Sequence, residues 1–230
     1  MKVKKLFILF FFLSGVILSQ EKNSLGINSG ITYSDFRGNN FFDDYEKGFD
    51  FLIGISFDFK LKDRLFISTD LNYERKSTNK LYELNNLVGS SGGTIIIYGT
   101  PFGENPPDKP EYKFRTRFEY ITIPVLIKYF ISENKDFYIN GGPYFGYLLN
   151  TKNIDNGKES DLDFNKDFNK IDLGFTIGFG YNLELNETNH ISFELRNNLG
   201  LTKINSDDNS FFDSTKTNSL NLILGWNFYL

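Results

Sequence analysis

One run of this chain alternates so regularly that only a strand with two unlike faces accommodates it. Across residues 48–59, Phe49, Phe51, Ile53, Ile55, Phe57 and Phe59 take every second position. Asp50, Gly54, Ser56 and Asp58 fall between them, together with Leu52. A period of two is what a pleated strand imposes, because successive side chains point to opposite faces. The pattern recurs at Leu65, Ile67, Thr69, Leu71 and Tyr73, set against Ser68, Asp70, Asn72 and Glu74. Residues 60–64 are a short polar turn, so these two segments read as a hairpin. Leu25, Ile27, Ile31 and Tyr33 mark a further strand, and residues 171–183, 191–201 and 220–230 mark three more. Residues 118–130 and 137–149 are less regular. Ile123-Pro124-Val125-Leu126-Ile127 is apolar on both faces, and its proline lacks a ladder donor, so a bulge or local break is expected there. Arg117 and Glu119 must then lie beyond the apolar band or past that bulge. Gly141-Gly142-Pro143 marks a kink or a close approach of chains.

The connections alternate in length. They fall near 36–47, 60–64, 77–117, 131–136, 150–170, 185–189 and 203–217, in the order long, short, long, short, long, short, long. No segment after residue 20 sustains a helical period of 3.6. The expected fold is therefore all-β: an eight-stranded antiparallel up-and-down barrel with turns at one rim and loops at the other.

Which face of that barrel is apolar to the outside decides its solvent. A soluble barrel of lipocalin type turns its apolar face inward around a ligand. Here the opposite face carries Asp50, Asp58, Asp70, Glu74, Asp172, Glu194 and Arg196, too many charges for an apolar cup. The apolar rows also suit the ~9–11 residues of a tilted spanning strand. Aromatic residues make up 17% of the chain and Phe alone numbers 26, which fits interfacial girdles around a lipid-facing wall. The expectation is a transmembrane β-barrel in the outer membrane of a Gram-negative cell, with both termini in the periplasm.

The leading segment supports export. Lys2, Lys4 and Lys5 precede an apolar run at residues 6–18, and Ser19 offers a small residue for cleavage. That run is shorter than the ~20 residues needed to cross a bilayer as a helix. Residues 1–19 therefore read as a signal peptide and 20–230 as the barrel domain. Lys+Arg (25) and Asp+Glu (29) nearly balance, which argues against a nucleic-acid partner. The chain has no cysteine, which excludes a disulfide framework, a thiolate metal site, a cysteine nucleophile and a lipoprotein anchor. No cofactor is implied. The expected partners are outer-membrane lipid and a protein met through the long loops.

The chain ends in Gly225-Trp226-Asn227-Phe228-Tyr229-Leu230, which resembles the C-terminal signal of outer-membrane barrels, departing from it at Ile223. Three internal segments carry a family likeness: Glu119-Tyr120-Ile121-Thr122-Ile123-Pro124-Val125-Leu126-Ile127-Lys128-Tyr129, Gly141-Gly142-Pro143-Tyr144-Phe145-Gly146-Tyr147-Leu148 and Glu194-Leu195-Arg196-Asn197-Asn198-Leu199-Gly200-Leu201. On these the chain resembles the PorT-like outer-membrane β-barrel proteins of Bacteroidetes-type bacteria. That resemblance implies the barrel and its location. It does not imply one activity, since one branch assists a protein secretion system and most members have no assigned role.

Candidate sites follow from residue types. Asp70, Glu74, Asp172, Glu194 and Arg196 are expected to form a polar network inside the barrel, with Lys128 joining them. In a barrel this narrow the interior holds only its own side chains, so the charges must pair; a gated pore lining is the competing use. His190 and Ser192 share a face as in a hydrolase pair, but next to a short turn, the wrong rim for an outer-leaflet lipid enzyme. Asp161, Asp163, Asn165, Asp167, Asn169 and Asp172 match calcium-loop positions 1, 3, 5, 7, 9 and 12, yet Lys166 stands where the turn needs glycine. A solvated acidic loop is the expectation there. No catalytic residue is assigned. The expected function is a non-enzymatic barrel with a structural or interaction role through its long loops. A small channel or a secretion-accessory barrel is the alternative, and a lipid-modifying barrel enzyme is third.

Overall fold

The computed structural model describes residues 23–38, 46–83, 111–155, 157–160, 168–205 and 215–230. The leading segment, the Gly- and Pro-containing stretch 84–110 and residues 161–167 of the calcium-like run lie outside them. The long strands are β1 (Ser24–Arg37), β2 (Glu46–Lys62), β3 (Leu65–Glu83), β4 (Glu111–Phe130), β5 (Phe137–Asp155), β7 (Ile171–Asn186), β8 (Asn189–Gly200) and β9 (Lys216–Tyr229). A two-residue strand, β6 (Lys158–Glu159), folds back onto the end of β5.

Every pairing is antiparallel, and each long strand lies beside its neighbours in sequence. β1 pairs with β9, closing the circle of eight that the alternation predicts. Closure leaves the wall no unpaired edge, which a barrel in lipid requires. The first and last described residues and the short turns share one rim: Ser24 faces Tyr229, and the Leu230 amide donates to the Asn23 carbonyl at 2.8 Å.

The parity of the sequence becomes the inside and outside of the wall. Ile27, Phe49, Ile53, Ile127, Ile177 and Leu222 are exposed outward, Ile27 at 61%. Asn28, Asp70, Glu74, Thr176, Arg196 and Asn221 are buried inward. Stacked and tilted aromatics ring both ends of the apolar band. Tyr33–Phe49 and Phe51–Tyr73 lie toward the long connections, and Phe137–Tyr181 and Trp226–Phe228 toward the short turns.

Three boundaries differ from expectation. β3 runs on to Glu83, β4 begins at Glu111 and β5 continues to Asp155. Backbone pairing outlasts the apolar alternation, because strand ends beyond the band no longer need an apolar outer face. Their outward positions carry Arg75, Arg115, Arg117, Glu119 and Lys152 instead.

At Pro124 the ladder is interrupted without a change of register. Asn72 faces Thr122 and Thr69 faces Val125 in one register, and the Thr69 hydroxyl donates to the Pro124 carbonyl at 2.8 Å. The bulge lies at Glu119–Tyr120, which face Asn150 and Leu148 and leave Leu149 as the extra residue. Below it Leu148 points inward; above it Thr151 and Asn153 do, so Lys152 points out. Gly141-Gly142-Pro143 is a close approach rather than a kink. β5 keeps one register with β7 throughout, and a Cβ on Gly142 would run into the Val125 carbonyl oxygen.

Candidate functional site

Side chains fill the interior in three layers. At the short-turn rim, Phe66, Phe130 and Tyr138 pack together, with ring centroids 5.4 and 5.6 Å apart along the series. At the other rim, Phe36, Phe118, Tyr120, Leu148 and Ile204 form an apolar cap against which Phe168 packs. Phe168 and Ile204 come from the connections before β7 and after β8. They are tied together by an Asn169 amide bond to the Ile204 carbonyl at 2.7 Å.

Between the apolar layers lie the charges, in two groups. In the first, the Arg196 guanidinium binds the Asp70 carboxylate and, through Nε at 2.6 Å, Glu194 Oε1. Tyr138 Oη and Asn140 Nδ2 also donate to Glu194, each at 2.9 Å, and Asn28 Nδ2 reaches Asp70 at 3.4 Å. Beside it Lys128 Nζ meets Asp58 at 2.7 Å and sits 4.1 Å from the centre of the Tyr138 ring.

The second group surrounds Lys76, which is fully buried. Its ammonium lies 3.4 Å from Asp172 Oδ2 and 5.1 and 5.3 Å from the centres of the Tyr120 and Tyr144 rings. Asp172 Oδ2 also accepts from Thr217 at 2.7 Å and Tyr144 at 3.1 Å. Glu74 accepts from Ser219 at 2.8 Å, Asn221 at 3.1 Å and Asn198 at 3.5 Å. Beside the first group and at the short-turn rim, two cavities hold about 20 and 30 Å³, space for a water or two.

All five residues assigned to the interior network are thus inside, divided between the two groups. Lys76, the central cation of the second, lies just past the alternation that ends at Glu74, although its even parity with Asn72 and Glu74 marks it. Asp50 stands apart from both groups and pairs with Arg115 Nη2 at 2.8 Å near the strand ends.

Asp172 serves the plug and is fully buried, so it is removed from the calcium-like run. Asn169 is also engaged elsewhere, donating to the Lys203 and Asn205 carbonyls. No cluster of acidic or histidine side chains suited to a metal occurs among the described residues. His190 and Ser192 do not meet. Both His190 ring nitrogens are buried without a hydrogen-bond partner, while Ser192 Oγ accepts from Asn227 at 3.0 Å.

Outside the wall, beyond the apolar band, the charges pair across strands. Arg75 meets Glu119 at 3.4 Å. Arg117 faces Lys152 directly across β4–β5, an unfavourable like-charge pair, and Glu159 from β6 bridges them at 3.3 and 2.6 Å. Lys152, as hydrogen-bond donor, holds the exposed Glu159 carboxyl below its ordinary value, and the charges of Lys152 and Arg117 add to the effect.

A closed antiparallel barrel, apolar outside and ionic within, defines a membrane-spanning β-barrel of the outer-membrane class. The chain belongs to the outer membrane protein beta-barrel domain family, which it matches over residues 18–206. No curated protein matches it. Among solved structures it is similar to the outer membrane protein AlkL in lipid bilayers, at 10% identity over 92% of this chain and 90% of that one, with a TM-score of 0.50. It also resembles Neisserial surface protein A (12% identity, 90% and 97% covered, TM-score 0.46). The attachment invasion locus protein Ail of Yersinia pestis is a third (13% identity, 91% and 100% covered, TM-score 0.41). At such identities the likeness is one of fold alone.

Proposed function

We propose that this chain is a non-enzymatic outer-membrane barrel of the PorT-like group, a closed scaffold that presents its long connections to a protein partner outside the cell. The carrying observation is the filled interior. Among the described residues an apolar cap, two ion-paired groups and an aromatic layer succeed one another between the rims, with water-sized cavities beside the Arg196 group and at the short-turn rim. Such packing of the described residues supports a closed scaffold over a channel and turns attention to the rim connections. PorT-like membership rests on the three segments around Pro124, Gly142 and Arg196. In this reading the short turns and both chain ends face the periplasm.

Two measurements test it. Reconstituted in a planar bilayer, the protein is expected to show no ion conductance; stable unitary steps would turn the reading toward a channel. Orientation is accessible because the chain has no cysteine of its own. On intact cells a membrane-impermeant maleimide is expected to label Lys158→Cys and spare Glu133→Cys. The reverse pattern would invert the barrel and remove the outward interaction role.

A further inference from the structure

The outward row of β1 reads Leu25, Ile27, Ser29, Ile31 and Tyr33, and Ser29 is its one small member. Where the row dips, a groove of about 520 Å³ crosses the outer wall. Ser29 and Ile31 line it with Phe51 and Ile53 of β2 and Leu222 and Leu224 of β9. A volume of that order suits an extended apolar ligand.

The groove reaches a cation at Phe51. The Arg75 guanidinium lies 4.8 Å from the centre of that ring and 5.5 Å from the Tyr73 ring. Its Nε donates to Tyr73 Oη at 3.0 Å, and Nη2 faces Glu119 at 3.4 Å. Nη1 has no hydrogen-bond partner among the described residues, and the side chain is 27% exposed. A second cation stands on the same side: Lys47 lies 5.5 Å from the centre of the Tyr33 ring, next to Phe49. An arginine set on aromatic rings at a membrane interface offers a planar, preoriented edge to a phosphate. Acyl-sized groove and guanidinium edge therefore share Phe51.

We infer that these features form a lipid site. One acyl chain lies across Ser29, and the headgroup phosphate docks on the Nη1 edge of Arg75. The occupant is the phosphorylated glycolipid of the outer leaflet, an assignment that rests on the orientation proposed above. Glu119 competes with that phosphate for Arg75 and so limits the affinity.

The test is native mass spectrometry of the folded protein released from detergent with phosphorylated lipid A, its dephosphorylated form or phosphatidylglycerol. Phosphorylated lipid A is expected to be retained about tenfold better than its dephosphorylated form, the value of one charge-assisted contact, and better also than phosphatidylglycerol, whose diester phosphate carries a single charge where a monoester carries up to two. Arg75→Gln is expected to erase that preference and Ser29→Phe to abolish retention of all three lipids. Glu119→Gln should raise retention of the phosphorylated form, a gain that no folding defect produces. Lys62→Gln, at the short-turn rim, should change nothing. Equal retention of phosphorylated and dephosphorylated lipid overturns the site, and equal retention of phosphatidylglycerol overturns the glycolipid assignment. A dimer lost in Ser29→Phe overturns it too, by placing a second copy in the groove. Retention in detergent does not depend on orientation, so failure here is distinct from failure of the cell-surface labelling.

Discussion

The two ionic groups of the interior solve one problem differently. Around Arg196 the charges pair directly: one guanidinium spans Asp70 and Glu194, and the remaining donors come from Tyr138, Asn140 and Asn28. Around Lys76 the cation touches Asp172 loosely and rests between two tyrosine rings, while hydroxyls and amides supply most of the carboxylate bonds. The first group depends on one residue; the second spreads its load. An arginine fork serves two carboxylates at fixed geometry, whereas an ammonium is a point charge that rings and neutral donors must help to hold.

The sharpest way to break this contrast is to remove each cation. Arg196→Met leaves Asp70 with Asn28 alone and Glu194 with Tyr138 and Asn140 but no cation. Unfolding by urea in lipid vesicles is expected to show a loss of about 3–5 kcal/mol, the range for breaking a buried pair. Lys76→Met leaves Asp172 with two hydroxyl donors and Glu74 with its own three, so the expected loss is smaller, about 2 kcal/mol. Equal losses would mean that the neutral donors around Lys76 carry little.

Tyr144→Phe sharpens the second half of the comparison. It deletes the hydroxyl bond to Asp172 and keeps the ring beside Lys76. The same assay is expected to give about 1 kcal/mol, one hydrogen bond's worth. A loss as large as that of Lys76→Met would shift the weight of the group from the cation to the hydroxyl.

The two groups also differ in how far the sequence announces them. Arg196, Glu194, Asp70 and Asp172 fall within clean alternation, so parity alone places them inside. Lys76 stands where alternation fades: Arg75 breaks the apolar outer row, and the connection is expected from residue 77. Yet β3 continues, because backbone pairing needs no apolar side chain once the strand has left the lipid. The same cause hides the ends of β4 and β5. The bulge is obscured for another reason. Pro124 advertises a missing donor, but a single missing ladder bond does not shift the register. The extra residue appears as Leu149, an ordinary apolar residue with no signature of its own. The groove at Ser29 is visible as one small residue in a large row, but its link to Arg75 needs the register of β1, β2 and β3 together.

The charges outside the band complete the contrast, because water weakens there what burial strengthens inside. Glu159 is exposed and holds Lys152 and Arg117 against their mutual repulsion. Its carboxyl titrates below the ordinary value of 4.5, chiefly because Lys152 donates to it. A depressed carboxylate stabilises the folded form above the ordinary value and loses that contribution as pH falls through the depressed one. The readout is local: the Ser160 amide donates to the Asn153 carbonyl at 2.8 Å, closing the return of β6 onto β5. Its hydrogen-exchange protection, corrected for intrinsic rate, is expected to fall between about pH 6 and about pH 3 while amides in β8 stay protected. Glu159→Gln should give low protection at both ends of that range. If the variant kept the wild-type pH dependence, the pairing of Arg117 and Lys152 would not depend on Glu159, and the outer charges would contribute nothing to the fold of the rim.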